Sequence, residues 1–411
     1  MARLMIMSIG GSPEPLKRSI AEHQPERIIF FASHDSILKA GEVLEQTDPK
    51  PKTESVITED PNSLFECYKT ARCCVDRAML SGYSADEIMV DYTGGTKVMT
   101  AALILATVGC PYQFNYVGGD VRTKAGLGVV ENGHELMYSD MNPWSVFAEE
   151  ERRQVVLLFN SCRYSAVGEI IRMASTRDLP RDISDYFSFV RYLAEGFLLW
   201  EQFNHRKAAE SLDKGMKNLT NFMKNHSHFQ WQSFHDEVQQ CSENLKNILL
   251  QTDNLKKSHP VLIDDLLNNA RRRISAGRYD DAAARIYRAL ELYGQIIFEE
   301  VAGCSNSNVR RDKIPEAIRD VYIQKYADPQ SGIIKLPLHA TFQFLQETGH
   351  EAGQRYFQKL DEIQKIQSNR NDSILAHGIK SVTKNAVEKI LQVVSDFTGF
   401  RADFDFPCLP Q

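Results

Sequence analysis

The sequence predicts an α/β domain followed by an all-α region, and three observations carry that prediction. Apolar runs of strand length alternate with helical patterns up to about residue 145; strand signals vanish after Val146; amphipathic helical periodicity then runs to the C-terminus. A chain of 411 residues suits two or three domains at about 150 residues each. Hydrophobic residues make up 43% and charged residues 25%, which excludes disordered, collagen-like and coiled-coil classes.

The strand-length runs are Leu4–Ile9, Arg27–Ala32, Ser55–Thr58, Ile88–Tyr92 and Gln113–Val117, with helical patterns at Leu64–Leu80 and Lys97–Val108. Nearly continuous apolar strands between helices imply a parallel sheet covered on both faces, a doubly wound domain over residues 1–145. Glu131-Asn132-Gly133-His134 reads as a tight hairpin appended at the edge, and Asp140-Met141-Asn142-Pro143 ends the domain. Residues 146–257 form a helical linker region with segments Phe147–Asn160, Val167–Ala174, Ile183–Asn204, Lys207–Phe222 and Phe229–Leu250. Residues 258–411 are helical again, at Leu262–Ile274, Asp280–Val301, Ile314–Lys325, Gln354–Gln367 and Thr383–Phe397. Gly277 and Gly378 are expected helix stops, Asp280 and Ser381 expected caps.

Several function classes drop out. The eight cysteines contain no C-x-x-C pair, which argues against structural zinc and a disulfide framework and favours a reducing compartment. The longest apolar run, Val98–Val108, is about half of a membrane span, and Met1–Met7 lacks the features of a signal peptide. A cytoplasmic protein with no membrane partner is expected. The net charge of −6 argues against a general nucleic-acid coat, although residues 256–411 carry 22 basic against 20 acidic groups.

Three strand-to-loop junctions are rich in small and polar residues: Ser8-Ile9-Gly10-Gly11-Ser12, Ala32-Ser33-His34-Asp35 and Asp91-Tyr92-Thr93-Gly94-Gly95-Thr96-Lys97. In a parallel sheet all three lie at the carboxyl edge, where doubly wound folds bind ligands. Glycines there let backbone amides approach a phosphate, and Thr96 and Lys97 open the next helix. Neither a G-x-G-x-x-G fingerprint nor a P-loop is present, so a dinucleotide dehydrogenase or P-loop NTPase is poorly supported. Glycines that merely make tight turns are the alternative.

Near the C-terminus stands Arg370-Asn371-Asp372-Ser373-Ile374-Leu375-Ala376-His377. On a helix, Arg370 and His377 are two turns apart and share a stripe with Ser373. Such a stripe offers an anion site beside an acid/base group, with Asn371 in a positioning role; a capped helix end is the plain alternative. A second cluster, Arg271, Arg272, Arg273, Arg278, Arg285 and Arg288 with Tyr279, Tyr287 and Tyr293, suits either single-stranded RNA or a solvated face paired with Asp280, Asp281 and Glu291.

The Asp91–Lys97 run, together with Gly10-Gly11-Ser12 after the first strand, resembles the CARF domains of type III CRISPR ancillary proteins. Arg370-Asn371 followed by His377 resembles the R-x(4–6)-H signature of HEPN ribonucleases. The whole order is similar to the CARF–HEPN ribonucleases: an α/β Rossmann-like (CARF) N-terminal domain, an all-α linker and an all-α HEPN-type domain. That resemblance implies a ligand-sensing domain that binds a cyclic oligoadenylate activator through Gly10, Gly11, Ser12, Ser33, His34, Thr93, Gly94, Gly95, Thr96 and Lys97. It implies Arg370, Asn371 and His377 as the catalytic group for cutting single-stranded RNA to 2′,3′-cyclic phosphate ends, in a homodimer. No metal-ligand spacing is present, so neither a metal nor another cofactor is expected. Two competing readings are a ligand-responsive regulator that binds nucleic acid without cutting it, and a ring nuclease that degrades its own activator.

Overall fold

The computed structural model describes residues 2–45, 47–119, 134–138, 143–226, 228–364, 379 and 381–410. By internal contacts the chain divides into two compact units, Met1–Gln154 with Ile170–Asp185 and Val155–Glu169 with Tyr186–Gln411. Among the described residues no helix is long and apolar enough to cross a membrane.

The first unit is built on a six-stranded sheet: β1 (Leu4–Ser8), β2 (Arg27–Ser33), β3 (Lys52–Thr58), β4 (Ile88–Asp91), β5 (Gln113–Gly119) and β6 (Glu135–Tyr138). The strand order is β3-β2-β1-β4-β5-β6, with β1 to β5 parallel and β6 antiparallel to β5. Between them run α1 (Glu14–His23), a short α2 (Ala40–Val43), α3 (Leu64–Met79) and α4 (Lys97–Thr107). The pleat sends alternate residues to opposite faces. Leu4, Ile6, Ile29, Phe31 and Val90 pack with Cys74, Leu103 and their neighbours on α3 and α4. Met5, Met7, Ile28, Phe30 and Met89 pack with Leu16 and Ile20 of α1. Two-sided burial accounts for the unbroken apolar strands. Only His134 of the expected hairpin turn is described, and Asp140–Asn142 and the Gly378 stop also lie outside the described residues.

Helices α5 (Trp144–Asn160), α6 (Tyr164–Ala174), α7 (Arg181–Glu201), α8 (His205–Met223) and α9 (Phe229–Gln251) follow. After them come α10 (Val261–Ser275), α11 (Tyr279–Ala302), α12 (Glu316–Tyr326), α13 (Leu338–Glu347), α14 (Glu351–Gln358) and α15 (Lys384–Thr398). In the second unit α7 and α8 cross closely: a Cβ on Gly215 would lie 2.5 Å from Leu193, and one on Gly196 would lie 2.7 Å from Leu212. The C-terminal helices share one core that includes Leu267, Ile286, Phe298, Phe342, Tyr356 and Val394.

Three local expectations are corrected. Asp280 does not cap α11: Arg278 holds that position, and the Asp280 carboxylate accepts the amide of Val382 at 3.2 Å. Thr383, rather than Ser381, caps α15 by accepting from Ala386 N. The expected Gln354–Gln367 helix begins earlier, where the His350 side chain caps α14, and breaks after Gln358. Gly277 has φ of 72°, as a helix stop requires.

The arginine cluster divides: Arg278 and Arg288 are exposed, with Arg288 paired to Glu291 and Arg285 to Asp281 as a solvated face requires, but Arg272 and Arg273 turn inward. Arg272 and Arg273 are only 4% and 9% exposed, and both guanidinium groups converge on the buried carboxylate of Glu201 at the end of α7, at 2.5 and 3.0 Å. The Glu201 carbonyl, one of the orphan acceptors of that helix terminus, receives bonds from Asn269, Arg273 and Arg285. Cations at a helix C-terminus are favoured by its dipole. Nearby, Asp265 of α10 accepts from Trp200 Nε1 at 2.8 Å and lies 2.7 Å from His205 Nε2. The chain end packs into the same region: Phe404 N donates to Asn268, Leu409 pairs with Asn160, and Phe406 lies 3.9 Å under the Arg272 guanidinium.

Removing the carboxylate should therefore unseat the second unit. Glu201→Gln is expected to cost about 3–5 kcal/mol, because it strands two buried guanidinium groups. Urea denaturation should show this as a lower midpoint, and a loss below about 1 kcal/mol would contradict the network's role.

Candidate functional site

The strand order reverses direction at β1, so the loops after β1 and β4 flank a crevice at the carboxyl edge of the sheet. These two loops touch backbone to backbone. A Cβ on Gly94 would overlap the Ser8 carbonyl oxygen and sit 2.9 Å from Gly10 N, while one on Gly10 would lie 2.6 Å from Gly95 N. Ser8 Oγ closes the contact by donating to Gly94 O at 2.7 Å. Gly95 adopts φ of 86°, a left-handed conformation that glycine takes without strain. Glycine at positions 10, 94 and 95 is thus demanded by packing and conformation. Gly11 is exposed, and a Cβ there would meet nothing within 4 Å.

Several of the other predicted residues spend their polar groups on shaping the loops. Thr96 caps α4 by accepting from Met99 N at 3.1 Å and donates to Pro61 O at 2.9 Å. Thr93 Oγ1 accepts from Val117 N at 2.8 Å. Ser33 exchanges hydrogen bonds with Ser36 in the turn after β2. His34 is exposed and lies 3.3 Å from the Glu59 carboxylate. Ser12 and Lys97, by contrast, make no side-chain hydrogen bond or ion pair among the described residues. Lys97 is exposed at the first position of α4, where amides have no intrahelical partner. One ammonium, one hydroxyl and a helix N-terminus around close-packed glycines make an anion-accepting edge.

Sequence reasoning gave no role to the polar layer beneath that edge. Asp91 is fully buried, and its Oδ2 accepts from Ser19 Oγ at 2.5 Å and Asn115 Nδ2 at 2.7 Å. Its Oδ1 takes the Thr93 amide at 2.9 Å, which fixes the first turn of the glycine loop. Polar residues in otherwise apolar strands, Ser8 and Asp91 at the ends of β1 and β4 and Asn115 within β5, were the available signal. On the opposite face of the sheet from this layer Tyr92 and Tyr116 stack at 5.5 Å, and Tyr138 lies 6.2 Å from Tyr116. Burial pushes the Tyr92 phenol above its ordinary pKa, so it stays protonated at neutral pH.

Arg370, Asn371, Ser373 and His377 lie outside the described residues. Among the described residues no group of three or more His, Cys, Asp or Glu side chains comes together to hold a metal ion.

Comparison with known proteins speaks to the whole arrangement. Residues 251–401 match the model of the Csm6 HEPN domain, and residues 147–245 match that of the Csm6 6H domain. The chain is a CARF–HEPN protein of the type III CRISPR family. Among solved structures, Enterococcus italicus Csm6 bound to cyclic hexa-2′-fluoro-hexa-dAMP aligns over 97% of this chain and 94% of its own, with 11% identity and a TM-score of 0.56. It shares the fold: a CARF-type sheet domain, then helices. Can2 from Sulfobacillus thermosulfidooxidans in complex with cyclic tetra-adenylate aligns over 50% of this chain and 66% of its own, with 12% identity and a TM-score of 0.24. No curated protein sequence matches.

The close approach of the two loops predicts unequal tolerance of adjacent glycines. Gly94→Ala should destabilise the first unit by about 1–3 kcal/mol or more, since both obstructing atoms are backbone, whereas Gly11→Ala should fold as the parent does. Denaturation midpoints of the two variants measure the contrast, and equal midpoints would contradict the packing described.

Proposed function

We propose that this CARF–HEPN protein is a metal-independent endoribonuclease, switched on when its CARF domain binds a cyclic oligoadenylate. The observation that carries this reading is the pairing of two features in one chain. An anion-accepting crevice, with a Lys97 that is unpaired among the described residues, lies at the switch point of the sheet, and the Arg370-Asn371-(five residues)-His377 signature falls within the region matching the Csm6 HEPN model. The cyclic hexa-adenylate analogue held by the Enterococcus italicus relative supports the choice of activator class.

In this mechanism the loop amides and the Lys97 ammonium receive phosphates of the ring, and Ser12 contributes a hydroxyl. Gly10, Gly94 and Gly95 keep the backbone low enough for the ring to approach. A ring with internal symmetry matches two copies of the crevice about a two-fold axis, so the active form is a homodimer. In the HEPN domain the 2′-hydroxyl of the RNA attacks the adjacent phosphorus in line. The bond to the 5′ oxygen breaks, leaving a 2′,3′-cyclic phosphate and a 5′-hydroxyl. His377 moves the proton, Arg370 stabilises charge on the pentacoordinate phosphorus, and Asn371 positions the strand.

Two variants should separate the two sites. Lys97→Ala should weaken calorimetric binding of cyclic hexa- or tetra-adenylate, while leaving unstimulated cutting as it is. His377→Ala should bind the ring as the parent does and lose about 10²–10⁴-fold in stimulated cleavage. Parental ring affinity in Lys97→Ala, or undiminished cutting by His377→Ala, would refute the corresponding assignment.

A further inference from the structure

The arginines around Glu201 leave a charge imbalance that the protein's own side chains do not settle. A cavity of about 470 Å³ in the second unit is lined by Arg163, Arg272, Arg273 and Arg278, and Glu201 is the one carboxylate in its lining. Asp281, outside that lining, approaches Arg273 at 3.4 Å but is also bound by Arg285. Arg272 is 4% exposed: its Nε is taken by Glu201 and its Nη1 by Phe404 O, yet its buried Nη2 has no hydrogen-bond acceptor. Leaving a guanidinium N–H buried and unmet is costly unless something else supplies the acceptor. At the rim, Arg163 and Arg278 are exposed and make no ion pair among the described residues. Burial lowers the pKa of Arg273, with repulsion from Arg285 and Arg278 working against the pull of Glu201 and Asp281.

We propose that this cavity is a phosphate-binding site, separate from the sheet-edge crevice, in which Arg163, Arg272 and Arg278 receive the oxyanion of a nucleotide or RNA phosphate. The guanidinium fork matches phosphate geometry, and the volume suits a ligand of nucleotide size. The lining also holds Tyr164, Ser165 and Gln202, which offer further polar contacts to such a ligand.

The test uses the full-length protein and four probes: inorganic phosphate, 5′-AMP, the dinucleotide ApA and adenosine. Calorimetry should show binding of phosphate and AMP and none of adenosine; ApA binding as tightly as AMP identifies an RNA diester as the ligand, and weaker ApA binding a monoester. The double variant Arg163→Ala/Arg278→Ala, altered only at exposed residues, should bind AMP at least about tenfold more weakly. Binding that persists in Lys97→Ala sets this site apart from the sheet edge. Cys162, which lines the cavity, gives a local readout in the unaltered protein: phosphate should slow its alkylation by iodoacetamide, while the exposed Cys73 reacts at an unchanged rate. Failure of every phosphate-bearing probe to bind, parental affinity in the double variant, or unchanged Cys162 alkylation would overturn the proposal.

Discussion

The contact on which the first unit depends is the meeting of two main chains, Gly94 against the Ser8 carbonyl and Gly10 against Gly95. A side chain at either place would force β1 and β4 apart at the one edge where the strand order reverses. Because the loops touch, the hydroxyls of Ser8, Thr93 and Thr96 are drawn into holding them, and Asp91 anchors the turn from below. Little is then left free at the edge. Among the described residues, what remains is backbone amide, Ser12 and Lys97, a sparse set suited to an anion.

The helical unit is organised by the opposite device, a buried charge. Glu201 ends α7, and its carboxylate and carbonyl gather cations from α10 and α11, which ties the middle helices to the C-terminal ones. Of the stretch matching the 6H model, residues 155–169 and 186–245 fall in the same compact unit as the stretch matching the HEPN model. Three consecutive arginines are spent largely inside the protein. The surplus they leave around one cavity is a separate matter from the basic surface that their sequence first evokes.

Much of this was legible in the sequence, and the failures have physical causes. The inner strands β1, β2 and β4 were readable because two-sided burial makes them nearly continuously apolar, whereas the exposed edge strand β3 was read only over Ser55–Thr58; the glycine loops were readable because close approach leaves few other residues possible. Helix α13 was missed because it is short: Leu338, Ala340, Thr341, Phe342, Phe344 and Leu345 are buried and His339, Gln346 and Glu347 exposed, but ten residues carry that period over fewer than three turns. Helix α1 shows only Leu16 and Ile20 as an apolar stripe behind two prolines. Arginine burial could not be read at all: a run of arginines looks the same whether it meets water or Glu201, and that carboxylate stands some seventy residues away along the chain. Within the site, the motif identified the loops, but it could not tell that Thr93, Thr96 and Ser33 are occupied while Lys97, among the described residues, is not.

The most direct measurement is cleavage of a single-stranded RNA by the purified protein in EDTA, with and without cyclic oligoadenylates of four and six units, and with the product ends identified by mass spectrometry. The account predicts cutting that rises sharply with one of the rings, persists in the chelator, leaves 2′,3′-cyclic phosphate and 5′-hydroxyl ends, and fails where the nucleotide 5′ to the cut is 2′-deoxy. Cutting that is indifferent to every ring, dies with the chelator, or proceeds through a 2′-deoxy nucleotide would contradict it.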